Sequence, residues 1–205
     1  MTPEIFSATF DRIIKKRARE VRRHCASKRE FTAFLLDGKR RTRSVCQQVA
    51  DALDLKYCDQ YYRSDAVMFK KRDKKHFPDD FYAEYLSVVI EAENEARLAK
   101  DEVSKLMTLD APLRVLITYP PPQYRLSLLP TWTKIVTNAD WARDASRRGR
   151  LLVICGFLKN NPPRWEYLTY RAGRFVPMTT TLTAPSQSPG SLSKRIKSSQ
   201  KSPMG

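Results

Sequence analysis

Apolar positions in the first fifty residues recur at intervals of three and four. Ile5, Phe6, Phe10, Ile13 and Ile14, continued by Arg17, form one stripe, and Lys15, Lys16, Arg19, Arg22 and Arg23 fall on the other side. This periodicity predicts one amphipathic helix over residues 2 to about 23. Thr2 is suited to cap it, with Pro3 at the first helical position and Glu4 in the first turn. A second helix is predicted over 28–36, ending at Asp37-Gly38, and a third over 43 to about 53, with Val45, Val49 and Leu53 on one side.

The period then changes. Residues 56–70 read as one or two strands, and 81–93 as a long strand that is most apolar at 86–90. A helix follows over 96–109, then a strand over 113–119 closed by Pro120, Pro121 and Pro122. A helix over 128 to about 146 contains Trp132 and Trp141, read as core aromatics. A buried strand over 151–158 and an edge hairpin over 165–177, turning at Ala172-Gly173, complete the ordered part. Strands alternating with helices in this order predict an α/β fold with a mixed sheet flanked by helices. The expected organisation is a basic helical segment over 1–55 packed on the core, a core over 56–178, and a tail over 179–205. The tail is rich in Ser, Pro and Thr, and Lys194, Arg195, Lys197 and Lys201 face no acid within it, so it is expected to lack a packed core.

Composition narrows the function classes. The chain has 205 residues and is 41% hydrophobic, which suits one packed domain with appendages. No apolar run approaches the roughly 20 residues of a membrane span, and the charged N-terminus does not resemble a signal peptide. A cytoplasmic protein without membrane contact is expected. The four cysteines, at 25, 46, 58 and 155, form no Cys-x-x-Cys pair, and the only histidines are His24 and His76, which argues against a zinc site. The net charge of +16 points to a polyanion, above all nucleic acid. Two clusters suit phosphate contacts: Lys39, Arg40, Arg41 and Arg43 between helices, and Lys70, Lys71, Arg72, Lys74 and Lys75 at the turn between two strands. Such contacts supply affinity and salt dependence but no sequence information.

The run Val88-Val89-Ile90-Glu91-Ala92-Glu93-Asn94-Glu95 carries the candidate chemistry. An apolar strand leads into acids at spacing two, and alternate strand residues share a face. Glu91 and Glu93 thus project together, and their mutual repulsion is relieved by a cation. Oxygen-only ligation suits Mg²⁺ or Mn²⁺. Asp65 stands at the mouth of another apolar strand. If strands 61–69 and 81–93 pair as a hairpin, Asp65 lies opposite the two glutamates. The plainer alternative makes Asp65 a turn residue, and Glu91 and Glu93 a solvated strand end beside a helix N-terminus.

Asp65, Glu91 and the order of elements around them resemble the PD-(D/E)XK nuclease superfamily over residues 40 to about 160. The resemblance implies a restriction-endonuclease-like fold and metal-dependent hydrolysis of phosphodiesters, in DNA or else RNA. It implies Asp65, Glu91 and Glu93 as metal ligands, and two copies pairing to cut both strands. Ser64 stands where the motif has Pro, and Glu93 where it usually has Lys. On the following helix, Leu98, Glu102, Lys105 and Leu109 fall on one face. Lys105 is thereby a candidate for a displaced catalytic lysine, the alternative being an exposed ion pair with Glu102. The competing readings are a nuclease-like module that binds nucleic acid without cutting it, and a scaffold with a basic tail.

Overall fold

The structure, a computed structural model, describes residues 1–37, 42–70, 86–140, 145 and 150–178. The N-terminal stripe folds as two helices instead of one, α1 (Pro3–Lys16) and α2 (Ala18–His24). The break falls at Arg17, whose backbone leaves the helical region at φ −99° and ψ 24°. Its guanidinium donates to Glu20 Oε1 at 2.9 Å and to the Arg43 carbonyl at 2.8 Å, and it lies 4.3 Å from the centroid of the Phe34 ring. These tertiary contacts interrupt a periodicity that would otherwise run on. Thr2 does cap α1, its hydroxyl accepting from the Ile5 N–H at 3.4 Å. Phe6, Phe10, Ile13 and Ile14 are buried, but Ile5 is exposed. Each residue turns the helix by about 100°, so Ile5 falls away from a face centred on Phe6 and Phe10.

Helices α3 (Lys28–Leu36) and α4 (Val45–Ala52) begin on serine caps. Ser27 accepts from the Glu30 N–H at 3.4 Å and Ser44 from the Gln47 N–H at 3.0 Å. Strands follow as β1 (Leu55–Tyr61), β2 (Ser64–Lys70) and β3 (Leu86–Glu93). Then come α5 (Ala99–Thr108), β4 (Leu113–Thr118), α6 (Arg125–Ala139), β5 (Leu151–Phe157), β6 (Arg164–Arg171) and β7 (Arg174–Pro177). The helix expected to start at residue 96 starts at Ala99, after a turn. The one expected over 128–146 runs from Arg125 to Ala139, its first turn following a 3₁₀ turn at Pro122–Tyr124. Residues 81–85 of the third predicted strand lie outside the described residues.

The seven strands form one mixed sheet in sequence order. β1–β2–β3 are antiparallel, β3–β4–β5 parallel and β5–β6–β7 antiparallel. Parallel neighbours need a crossover, and right-handed crossovers advancing in one direction put their helices on the same face. α5 and α6 therefore cover one side, over a core containing Val67, Val89, Leu116, Val153 and Trp132. Helices α1–α4 share the opposite core with Met68, Ile90, Val115 and Ile154. Every residue of β4 and β5 is buried, as strands covered on both faces should be. At the β6–β7 hairpin, Ala172 (φ 48°) and Gly173 (φ 79°) both take left-handed backbone, the geometry of a tight primed turn. Among the described residues no helix is long and apolar enough to cross a membrane.

Candidate active site

Three elements build the site: the first turn of β2, the last turn of β3 and one flank of α5. β2 pairs with β3 so that Ala66 faces Ile90 and Val67 faces Val89. One step further, the same register sets Asp65 opposite Glu91. By alternation both share the face of Val67 and Val89, which is covered by α5. Asp65 is anchored by the backbone: its Oδ2 accepts from the Ala92 N–H at 2.8 Å.

Glu91 is fully buried. Its Oε2 accepts from Lys105 Nζ at 2.7 Å, and Lys105 also donates to Glu102 Oε2 at 3.3 Å. Its Oε1 is buried with no hydrogen-bond partner among the described residues. The buried stripe of α5 is Ala99, Val103 and Leu106 rather than the predicted Leu98–Leu109 face, and Leu98 is exposed. Glu102 and Lys105 are half-buried on the flank of that stripe, where Lys105 reaches Glu91 on β3.

Electrostatics follow from this packing. Burial, reinforced by the Asp65 charge, pushes the Glu91 carboxyl up to about 7 despite its bond to Lys105. Burial also raises Asp65, against the Ala92 N–H and the Lys105 charge that pull it down. For Lys105, desolvation opposes the charge, but Glu91 and Glu102 outweigh it and hold the ammonium protonated more firmly than in water. Asp37, at the end of α3, is raised by burial and then by the charges of Asp59 and Asp65. A protein with a large excess of cations thus sets Asp65, Glu91 and Glu102 around Lys105 at one end of β2 and β3.

Glu93 is turned elsewhere. Its Oε1 accepts from the Glu95 N–H at 2.7 Å, folding over the turn before α5. Among the described residues no three His, Cys, Asp or Glu side chains stand close enough together to share one ion. The structure thus brings Asp65, Glu91 and Lys105 together, and leaves Glu93 beside them on a backbone amide. The donor set still suits a hard divalent cation. Mg²⁺ is commonly held by one or two carboxylates with water and substrate phosphate completing its shell, and Glu91 Oε1 is a buried acceptor with nothing to accept.

Sequence reasoning did not find the latch that fixes this strand end. Lys28 Nζ donates to the Asn94 carbonyl at 2.9 Å, and Thr32 Oγ1 donates to Asn94 Oδ1 at 2.7 Å while lying 3.0 Å from the Tyr119 hydroxyl. These partners are separated by 62 to 87 residues, so no local spacing announces them. Asp37 was equally hidden, because Asp-Gly after a helix reads as a stop.

Of the predicted phosphate contacts, Lys39, Arg40, Arg41, Lys71, Arg72, Lys74 and Lys75 lie outside the described residues, as do His76 and Trp141. Lys70 is exposed at the end of β2. Arg43 is exposed and paired with Asp51, which neutralises part of its charge. Trp132 is in the core, edge-on to Phe175 with ring centroids 6.2 Å apart. No protein-family model matches the chain, and no curated protein or solved structure matches it either.

Proposed function

We propose that this protein is a metal-dependent nuclease of the PD-(D/E)XK type, hydrolysing phosphodiesters in DNA or RNA. The observation that carries the reading is the convergence of Asp65 and Glu91 from adjacent strands with Lys105 from the crossover helix, one Glu91 oxygen being buried without a partner. The order of elements supports it: a helix, a hairpin, a helix, a strand, a helix and a strand is the order the resemblance implies. So does the net charge of +16, which suits a polyanionic substrate.

Asp65 and Glu91 are the residues that would hold Mg²⁺ or Mn²⁺. A divalent cation there supplies Lewis-acid polarisation of a phosphoryl oxygen and compensates developing negative charge. Lys105 is held protonated by its two carboxylates, so it serves as a fixed cation and hydrogen-bond donor, neither a base nor a general acid. It substitutes for the lysine that the motif usually places at Glu93. The Ala92 N–H orients Asp65, and α5 excludes water from Glu91. Glu102 holds Lys105 from the solvent side.

A second reading has its own support. Glu93 is engaged by the Glu95 amide and no three-ligand cluster is assembled among the described residues, which favours a nuclease-like module that binds nucleic acid without cutting it. Incubation of plasmid or RNA with Mg²⁺ or Mn²⁺ decides between them. The nuclease reading expects cleavage by the native protein and its loss in Asp65→Asn and Glu91→Gln. Cleavage persisting in either variant, or in excess chelator, rejects the assignment. Saturable binding without cleavage under any metal supports the module.

A further inference from the structure

A second surface lies on the same edge of the sheet, just beyond the end of β3. It is a cleft of about 290 Å³ walled by Lys28, Glu95, Arg97, Pro121, Tyr124 and Leu128. Its floor is the chain segment that leaves the candidate site. Glu95 donates its N–H to Glu93, Asn94 accepts from Lys28, and Arg97 follows four residues after Glu93. Four extended residues span at most about 14 Å, so the cleft is close to the carboxylates.

The walls carry two kinds of chemistry. Arg97 is exposed and has no partner among the described residues. Lys28 uses one of its three donors on Asn94 and keeps two. Tyr124 is exposed over about half its surface, and Leu98 and Leu126 beside it are also exposed. The backbone that carries Tyr124 is held in place. It ends a 3₁₀ turn that begins at the last of three consecutive prolines, its N–H donates to the Pro121 carbonyl at 2.9 Å, and its own carbonyl accepts from Ser127 Oγ at 2.8 Å. An exposed aromatic ring on a fixed backbone, with two cations lining the same cleft, is the combination that binds single strands: a face for a base and positive charge for the backbone. The volume is at the lower end for a small-ligand pocket, which fits one base and its sugar but not a duplex. Bases stacked inside a duplex cannot reach such a ring, whereas those of an unpaired strand can.

We propose that this cleft is a nucleotide subsite for an unpaired strand of the substrate, with a base stacked on Tyr124 and phosphates facing Lys28 and Arg97. The inference rests on the nuclease reading in taking nucleic acid as the ligand of this edge. Glu95, which can only accept hydrogen bonds when ionised, faces the amino groups of a base rather than a phosphate. The protein would thus prefer frayed, gapped or single-stranded nucleic acid over a blunt duplex.

The test measures fluorescence anisotropy of labelled single-stranded and blunt double-stranded oligonucleotides with the full chain in Ca²⁺, and cleavage of both in Mn²⁺. Tyr124→Ala should weaken single-strand binding about 5- to 100-fold, the range seen when a stacking aromatic is removed. It should leave the duplex affinity within twofold. Tyr124→Phe should bind like the native protein, and Arg97→Glu should weaken the single strand more than the duplex. Unchanged single-strand affinity in both Tyr124→Ala and Arg97→Glu would overturn the subsite even if cleavage proceeds normally. Binding that depends on Tyr124 without cleavage in any metal would instead sink the hydrolytic reading and leave the subsite standing. If Tyr124→Ala abolishes self-association in sedimentation and leaves nucleic-acid binding intact, the face belongs to a second copy of the chain and the subsite is rejected.

Discussion

Burial of the Glu91 carboxyl has a thermodynamic consequence that can be measured without substrate or metal. An unfolded glutamate releases its proton near 4.5, and Glu91 in the folded chain releases it near 7. Between these values the folded state holds the extra proton, so this residue's contribution to stability is present below about 4.5 and falls away as pH rises to 7. The slope approaches about 1.4 kcal/mol per pH unit. Asp65 shifts in the same direction. In metal-free buffer, Glu91→Gln should flatten the stability profile between pH 5 and 7.5 relative to the native protein, read as urea midpoints. Equal slopes for the two proteins would show that Glu91 is not desolvated as described. Lys105→Met should cost about 3 kcal/mol at pH 8, the low end for a buried pair that loses one partner, and less at pH 5, where Glu91 is already neutral. Both changes are read from residues whose types the sequence displayed; the size of their effects comes from packing that it did not.

At the scale of elements, two joints hold the site to its scaffold. One is the approach of β5 to β6 at Gly156. A Cβ there would lie 2.8 Å from Trp165 Cζ3 and 2.9 Å from Tyr119 Cδ1, both side chains wedged in the core beside Phe31 and Phe10. Gly156→Ala should therefore destabilise the fold by about 1–3 kcal/mol through overpacking. A midpoint unchanged in guanidinium chloride would contradict the contact. The other joint is the latch from α3 to Asn94. Thr32→Val removes a hydroxyl shared by Asn94 and Tyr119 and should cost about 1–2 kcal/mol. It should also raise hydrogen exchange at residues 92–95 more than at β4, since the loss is local. Strands and hairpins were legible here because their alternation is set within a few residues. The split at Arg17 was not, because the Arg43 carbonyl and the Phe34 ring that hold it are distant in the chain.

For the whole molecule, the sheet separates two layers of helices, and Asp65 and Glu91 sit at one end of β2 and β3 in an otherwise cationic chain. On the nuclease reading, the cationic excess makes binding to nucleic acid strongly salt-dependent. The affinity for duplex should fall linearly on logarithmic axes as salt rises, with a slope near −0.9 per phosphate neutralised. Removing residues 179–205 deletes four cations and no acid. The slope should become shallower by up to about 3.6 if all four touch phosphate, and stay the same if the tail makes no contact. Isothermal binding at 50 to 300 mM KCl distinguishes these outcomes.

Periods read along the chain gave most strands, the cap at Thr2, the α/β class and the residue types available for chemistry, while the caps at Ser27 and Ser44 came only with the fold. The sequence by itself also determined the charge excess, since counting charges needs no coordinates. Only the tertiary structure decided which acids meet. Pairing of β2 with β3 set Asp65 opposite Glu91, and the crossover by α5 delivered Lys105 to Glu91 across 14 positions. Glu93 has the same residue type and face as Glu91, yet a neighbouring amide claimed it. The physical reason is range: patterns of two and 3.6 residues are fixed by local sterics and burial, whereas a site is fixed by where separate elements are packed.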